Sequence, residues 1–212
     1  MTKDLIIVFV KNAVPGRVKT RLAKSIGDQA AFEVYESLVN LTKDTLVRLK
    51  HDKQVYFSET LESRGWKGFE KHVQEGSDLG ERMHKGFQKG FQDGYQRIIL
   101  IGSDLPDINA KLIKKALEAL NQNTLVFGPA HDGGYYLIGM SELQSQVFKN
   151  KAWSTSTLLE STLQELDNKN ITYGLLETLN DIDTFEDLKK SSFYKSNNIL
   201  RQKIEQHYGE DH

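Results

Sequence analysis

The chain has 212 residues, 38% of them hydrophobic and 27% charged, with 28 Lys and Arg against 29 Asp and Glu. That composition suits a soluble globular protein with one large core, and the charge balance excludes polyanion binding over a wide surface while leaving room for a local basic pocket. There is no cysteine, which excludes disulfides, thiolate zinc sites and cysteine nucleophiles. The first apolar run, residues 5–10, is too short for a signal-peptide core or a membrane span, so the expected location is cytoplasmic.

Residues 5–10, a continuous β-branched and aromatic run, predict a strand buried on both faces, as in a parallel sheet. Residues 11–18, with Pro15-Gly16, predict a loop. Apolar positions from Ala31 to Leu49 recur at helical spacing and predict a helix over about 28–50. Residues 54–58 predict a second strand and 71–74 a weak third. Met83, Phe87 and Phe91 define one face of a helix over 79–91. A strand over 97–101 and a helix over 109–120, with Asn109 as a cap, follow. Strands are expected at 124–127, 134–139 and 171–176, and helices at 154–166 and 184–190. Residues 199–207 predict a polar helical tail. Strands alternating with helices imply βαβ units and a mostly parallel sheet. No repeat, low-complexity tract or linker interrupts the chain, so residues 1–212 are expected to form a single domain.

Four segments carry candidate chemistry. The first is residues 102–107, Gly-Ser-Asp-Leu-Pro-Asp, directly after an apolar run. Ligands of open α/β sheets bind at the carboxyl ends of strands. Asp104 there could hold Mg²⁺ or Mn²⁺ against two phosphates, neutralising charge on a leaving group. The bland alternative is a turn and helix cap, with Asp107 as the better cap. The second is the loop after the first strand, where Arg17, Lys19 and Arg21 alternate with smaller residues and Gly16 lets backbone approach closely. Cations and free N–H groups at a strand-to-helix junction suit phosphate oxygens. Neither Gly-x-x-x-x-Gly-Lys-Ser/Thr nor Gly-x-Gly-x-x-Gly is present, and a solvated basic loop is the alternative.

The third is Asp132-Gly133-Gly134-Tyr135. It reads either as a tight hairpin turn or as a ligand wall in which Asp132 accepts a hydroxyl hydrogen bond and Tyr135 packs beside it. The fourth is the acidic turn 180–188. Thr184-x-x-Asp187 fits a helix cap, Asp181 fits a structural role, and Asp183 is an alternative second metal ligand. Trp153 is either core or an acceptor-pocket aromatic, with Ser154 capping the next helix. The six histidines show no metal-ligand spacing, and no basic stripe with interleaved aromatics suggests nucleic acid.

Taken in order, the segments 9–22, 76–83, 102–107, 128–137, 153–155 and 181–184 resemble the bacterial glycosyltransferase-like (selenodomain-associated transferase) family of the nucleotide-diphospho-sugar transferase (GT-A) superfamily. The resemblance implies a three-layer α/β/α sandwich around a mostly parallel sheet. It implies a transferase using a nucleotide-activated donor, a nucleotide-diphospho-sugar in the leading reading, with Mg²⁺ or Mn²⁺ on Asp104 and Asp183. It also implies that Asp78, Gly80 and Arg82 line the base or ribose pocket. Gly16, Arg17, Lys19 and Arg21 are then expected at the phosphates, with Lys19, Arg21, Asp104 and Asp132 as the catalytic set. Asp132, Gly133, Gly134, Tyr135 and Trp153 are expected at an unknown acceptor. The Lys19-Thr20-Arg21-Leu22 loop also resembles nucleotidyltransferases such as phospholactate guanylyltransferase, where a nucleoside triphosphate reacts and pyrophosphate leaves. Usual Asp-x-Asp spacing is replaced here by Asp104-x-x-Asp107. A non-catalytic nucleotide-binding module is the third reading. The Trp153 region and the tail are the segments expected to set acceptor choice or homodimer formation.

Overall fold

A computed structural model describes residues 3–62 and 65–210, the side chains of 205–210 excepted. It contains β1 (Asp4–Val10), α1 (Thr20–Ile26), α2 (Asp28–Val47), β2 (Asp52–Phe57), β3 (Glu70–Val73), α3 (Leu79–Gln92), β4 (Arg97–Ile101) and α4 (Ala110–Ala119). β5 (Leu125–Pro129), β6 (Tyr135–Met140), α5 (Leu158–Asn168), β7 (Tyr173–Leu175), α6 (Phe185–Lys190), α7 (Ser192–Ser196) and α8 (Asn198–Glu210) follow, with one 3-10 turn at Ser145–Phe148. The strands form a 7-stranded sheet in the order β3-β2-β1-β4-β6-β5-β7. Only β6 runs against its neighbours, because the five residues between β5 and β6 allow a hairpin but no crossover. Six strands therefore end at one edge of the sheet, and β6 begins there.

β1 lies inside the sheet, between β2 and β4, and every one of its residues is buried. Its alternate side chains enter opposite layers, as a period of two requires. Ile6, Val8 and Val10 pack with Leu112, Ile113 and Leu117 of α4 and with Tyr35 of α2. Leu5, Ile7 and Phe9 pack with Met83 and Phe87 of α3 and with Leu159 and Leu166 of α5. This is the α/β/α sandwich expected from the sequence. A third cluster joins Leu22 and Ile26 of α1, Val34 and Leu38 of α2, Ile182, Leu188, and Leu200 and Ile204 of α8.

Several boundaries differ from the sequence reading. Residues 20–26 form α1, a two-turn helix too short to stand out by periodicity; Gly27, at φ 80°, separates it from α2. The helix expected from Ser154 begins only at Leu158, because Ser154 adopts φ 64° and residues 153–157 form turns. Asn109, not Asp107, caps α4, accepting a 2.9 Å bond from the Leu112 N–H. The tail helix is docked rather than solvated: Leu200 and Ile204 are buried, and Lys203 donates to Glu33 of α2 at 2.7 Å. Among the described residues no helix is long and apolar enough to cross a membrane.

Candidate functional site

The segments carrying candidate chemistry all leave or enter the sheet at the edge where the six strands end. After β1, the chain is tied down by Asn12. Its side chain accepts from the Glu59 and Thr60 N–H groups at 2.9 and 3.1 Å and donates to the Thr60 carbonyl at 2.9 Å. Tyr35 of α2 reinforces the same exit, accepting from the Lys11 N–H and donating to its carbonyl. Past a turn closed by Arg17 N–H to Val14 carbonyl, Lys19 takes up a left-handed conformation, φ 48° and ψ 45°. A non-glycine residue in that region costs on the order of 1 kcal/mol and persists only where its surroundings hold it.

Those surroundings are ionic. The Lys19 side chain is only 4% exposed, and its ammonium donates to Asp104 Oδ2 at 2.8 Å and lies 3.9 Å from Asp183 Oδ1. Arg21 Nη1 reaches Asp183 Oδ2 at 3.2 Å. Burial opposes the charge on Lys19, but Asp104, with Asp181 and Asp183, outweighs it and holds the ammonium above its ordinary range. Burial likewise opposes ionisation of Asp104, and Lys19 reverses this and keeps the carboxyl below the usual carboxylate range. The two shifts agree in direction, so Asp104 and Lys19 form an ion pair that is fully charged at neutral pH.

Asp181 and Asp183 arrive from far along the chain because the strand direction of β7 is carried on past its end. Leu179 donates to the Pro129 carbonyl at 3.0 Å, His131 donates to the Leu179 carbonyl at 3.2 Å, and Ala130 and Leu179 form a parallel bridge. α6 then starts at once, with Thr184 and Asp187 in a capping box, so the Thr184-x-x-Asp187 expectation holds. Asp181 is the site residue that sequence reasoning left as structural. Burial, then the neighbouring Asp104, pushes its carboxyl up to about 6. Its sequence signals were its place two residues before Asp183 and its membership of the segment 181–184 that carries the resemblance.

Two adjoining pockets meet at this edge. The first is cationic: Lys11, Arg17, Lys19, Arg21 and Arg82 line it together with Asp104 and Asp183. The second, of about 250 Å³, is lined by Phe9, Met83, Tyr135, Trp153 and Leu158, with Asp104, Asp132 and Asp181. Phe9, Leu79, Gly102 and Asp104 belong to both.

Not every expected residue lies in a pocket. Gly16, at φ 78°, turns toward Asp28 instead of the cationic pocket. Asp78 caps α3, accepting from the Glu81 N–H at 2.8 Å, and lines neither pocket. Gly80 was expected beside a nucleotide. It is instead the floor under Trp153: a methyl group there would come within 2.5 Å of the Trp153 ring and the Phe148 carbonyl oxygen. Arg82 does face the cationic pocket, anchored by Nε to the Gly76 carbonyl at 3.1 Å.

Asp132 is both turn and wall, since its Oδ1 accepts from the Gly134 N–H at 2.9 Å while it lines the second pocket. Gly133, at φ 87°, has no room for a side chain, because a Cβ there would collide with the Ser156 carbonyl. Tyr135 packs edge-on against Phe127 at 5.4 Å, and its hydroxyl, enclosed without a hydrogen-bond partner, is pushed to a higher pKa by burial.

Carboxylate oxygens are the donors that Mg²⁺ and Mn²⁺ prefer. Mutual repulsion contributes to the raised pKa of Asp181, so added positive charge would be favourable here. Among the described residues, however, no three His, Cys, Asp or Glu side chains are grouped to cage a metal ion. The set fits a divalent cation held by one or two carboxylates and completed by substrate phosphates.

The fold is that of nucleotide-diphospho-sugar transferases: a mostly parallel sheet with helices on both faces and its candidate site at the strand ends. Residues 40–155 match the model of the family DUF2064, described as an uncharacterized protein conserved in bacteria, and the chain belongs to that family. No curated protein matches it in sequence. A provisionally named nucleotide-diphospho-sugar transferase from Desulfovibrio desulfuricans G20 is 32% identical, with a TM-score of 0.85 over 99% of this chain and 98% of that one. The 4-diphosphocytidyl-2C-methyl-D-erythritol synthase of Anaerococcus prevotii DSM 20548 is similar in fold, at TM-score 0.59 and 14% identity, covering 94% of this chain and 99% of that one. Rv0371c from Mycobacterium tuberculosis H37Rv, in a complex with manganese, is also similar in fold, at TM-score 0.55 and 10% identity, covering 92% and 100%.

Proposed function

We propose that the protein, acting as a single domain over residues 1–212, transfers a group from a nucleotide-activated donor, a nucleotide-diphospho-sugar, to an acceptor held in the second pocket. The observation that carries this reading is Asp104: it is the charged residue in the wall shared by a cationic and an aromatic pocket. A diphosphate in the first pocket and an acceptor in the second would meet at that carboxylate. The names of the similar proteins, a sugar transferase and a cytidyl-transferring synthase, support nucleotide chemistry.

Arg17, Arg21 and Arg82 bind the phosphates with their fork of donors, and Lys11 adds a point charge. Lys19, freed from Asp104 as the phosphates arrive, stabilises the charge that builds on the leaving phosphate. Asp104 and Asp183 would hold Mg²⁺ or Mn²⁺, and that metal, when bound, supplies further charge neutralisation at the leaving group. The chain itself contributes chiefly position and preorganised charge. No covalent nucleophile is called for.

A second reading rests on the number of cations around the first pocket. Lys11, Arg17, Lys19, Arg21 and Arg82 suit the higher charge of a nucleoside triphosphate, which would make the reaction nucleotidyl transfer. Product analysis separates the two: with Mg²⁺ or Mn²⁺ present, release of a nucleoside diphosphate from a nucleotide sugar supports the first, and release of pyrophosphate from a triphosphate the second. Asp104→Asn is expected to abolish either activity in a folded protein. Wild-type turnover in that variant would overturn the assignment of Asp104.

A further inference from the structure

The second pocket is unusual in its charge. Its lining includes three carboxylates, Asp104, Asp132 and Asp181, and not one Lys, Arg or His. The cations of the site are all on the other side of Asp104, in the first pocket. The remaining lining is largely apolar and aromatic: Met83, Leu158 and the Trp153 turn on one side, Phe9, Leu137 and Ile138 of the sheet on the other. In the same wall the Tyr135 hydroxyl is enclosed with no hydrogen-bond partner, a state that proteins rarely leave uncompensated.

Resting on the transfer reading above, we propose that the acceptor is a molecule without a negative charge: an apolar or aromatic body bearing a hydroxyl or ammonium group, and not a phosphate ester or a carboxylate. An anionic acceptor would have to lose its hydration against Asp132 and Asp181, with the neighbouring Lys19 ammonium already paired to Asp104 at 2.8 Å. A neutral or cationic one gives hydrogen-bond donors to Asp132 and Asp181 and lays its apolar face on Trp153. Asp104 is already neutralised by Lys19, and a metal there would leave the same two carboxylates, Asp132 and Asp181, at the pocket. Asp132 is fixed by its bond to the Gly134 N–H, so it cannot swing away from an anion without breaking its own turn.

A probe series with one body and three charges tests this: tyramine, tyrosol and 4-hydroxyphenylacetate, titrated calorimetrically into the full-length protein at neutral pH. Tyramine and tyrosol are expected to bind, and the acetate to bind at least about tenfold more weakly. The double variant Asp132→Asn, Asp181→Asn, which keeps size and the turn-forming oxygen, is expected to close most of that gap. Binding of the acetate as tightly as tyrosol, binding of none of the three, or an unchanged gap in the double variant would each overturn the proposal. Nucleotide binding, followed separately by thermal shift, reports on the first pocket alone. A protein that binds nucleotide yet prefers the anionic probe refutes this inference without touching the transfer reading.

Discussion

Lys19 concentrates the logic of the site in one side chain. Its ammonium occupies the space between Asp104 and Asp183, so it is the counter-ion of the acidic group until something else supplies positive charge. Lys19→Met should leave Asp104, Asp181 and Asp183 facing one another and lower stability by about 1–3 kcal/mol, a range discounted because the Asp104 side chain is 37% exposed. Mn²⁺ should then restore more melting temperature to the variant than it adds to the wild type. Equal shifts in both proteins would show that Lys19 and the metal do not compete. Asp181 gives a pH signature. Its folded pKa of about 6 stands above the ordinary value of about 3.9, so the folded state binds the extra proton and stability falls as pH rises between those values. Above pH 6 the whole penalty is present; below about pH 4 it is absent. Asp181→Asn should therefore stabilise the metal-free protein by roughly 1 kcal/mol at pH 7.5, after allowance for solvent screening, and by nothing near pH 4. Thermal melts at the two pH values check this, and an equal gain at both would refute it.

At the level of elements, the β5–β6 hairpin is the device that brings a turn into the site. Gly133 is its tightest point, and Gly133→Ala should cost about 3 kcal/mol or more, since the added carbon combines a positive φ with a collision against Ser156. Urea unfolding measures the loss, and a cost within the surface range would mean that residues 153–157 yield easily. The turn reading of Asp132-Gly133-Gly134-Tyr135 holds, and the same turn also lines the second pocket, which is why local pattern alone left two readings open. Strands, the mostly parallel sheet and the placement of Lys19, Asp104 and Asp183 were legible because each follows from a strand and what leaves its end. Asp181 was not, because its importance comes from the Ala130–Leu179 bridge, a contact between segments remote in sequence. Asp78 and Gly80 were expected at a ligand on likeness of motif, and the structure adds to them a helix cap and the close seat of Trp153, neither of which the motif announced. The start of α5 escaped because nothing in Ser154-Thr155 announces the left-handed Ser154.

For the whole molecule, the tail is part of the core rather than an appendage. Leu200 and Ile204 are each 2% exposed and close the cluster beneath α1, the helix that carries Arg21 and starts from Lys19. Leu200→Ala should cost about 2–4 kcal/mol by the lost burial and the cavity left behind, measured by the unfolding midpoint. A change under about 0.5 kcal/mol, the range of ordinary surface substitutions, would return the tail to the status of a solvated helix.

The two pockets draw on different stretches of the polypeptide. Apart from Asp104 and Asp183, the cationic pocket is written mainly in the first 82 residues, whereas most of the aromatic pocket comes from residues 100–158 and 181. A boundary of this kind makes the protein divisible for engineering and for descent alike. A chimera that exchanges residues 128–158 with a relative of the same fold should trade one acceptor preference for another while its nucleotide affinity, read by calorimetry, stays where it was. On the transfer reading, a change confined to that stretch would alter what is modified and leave the grip on the donor intact.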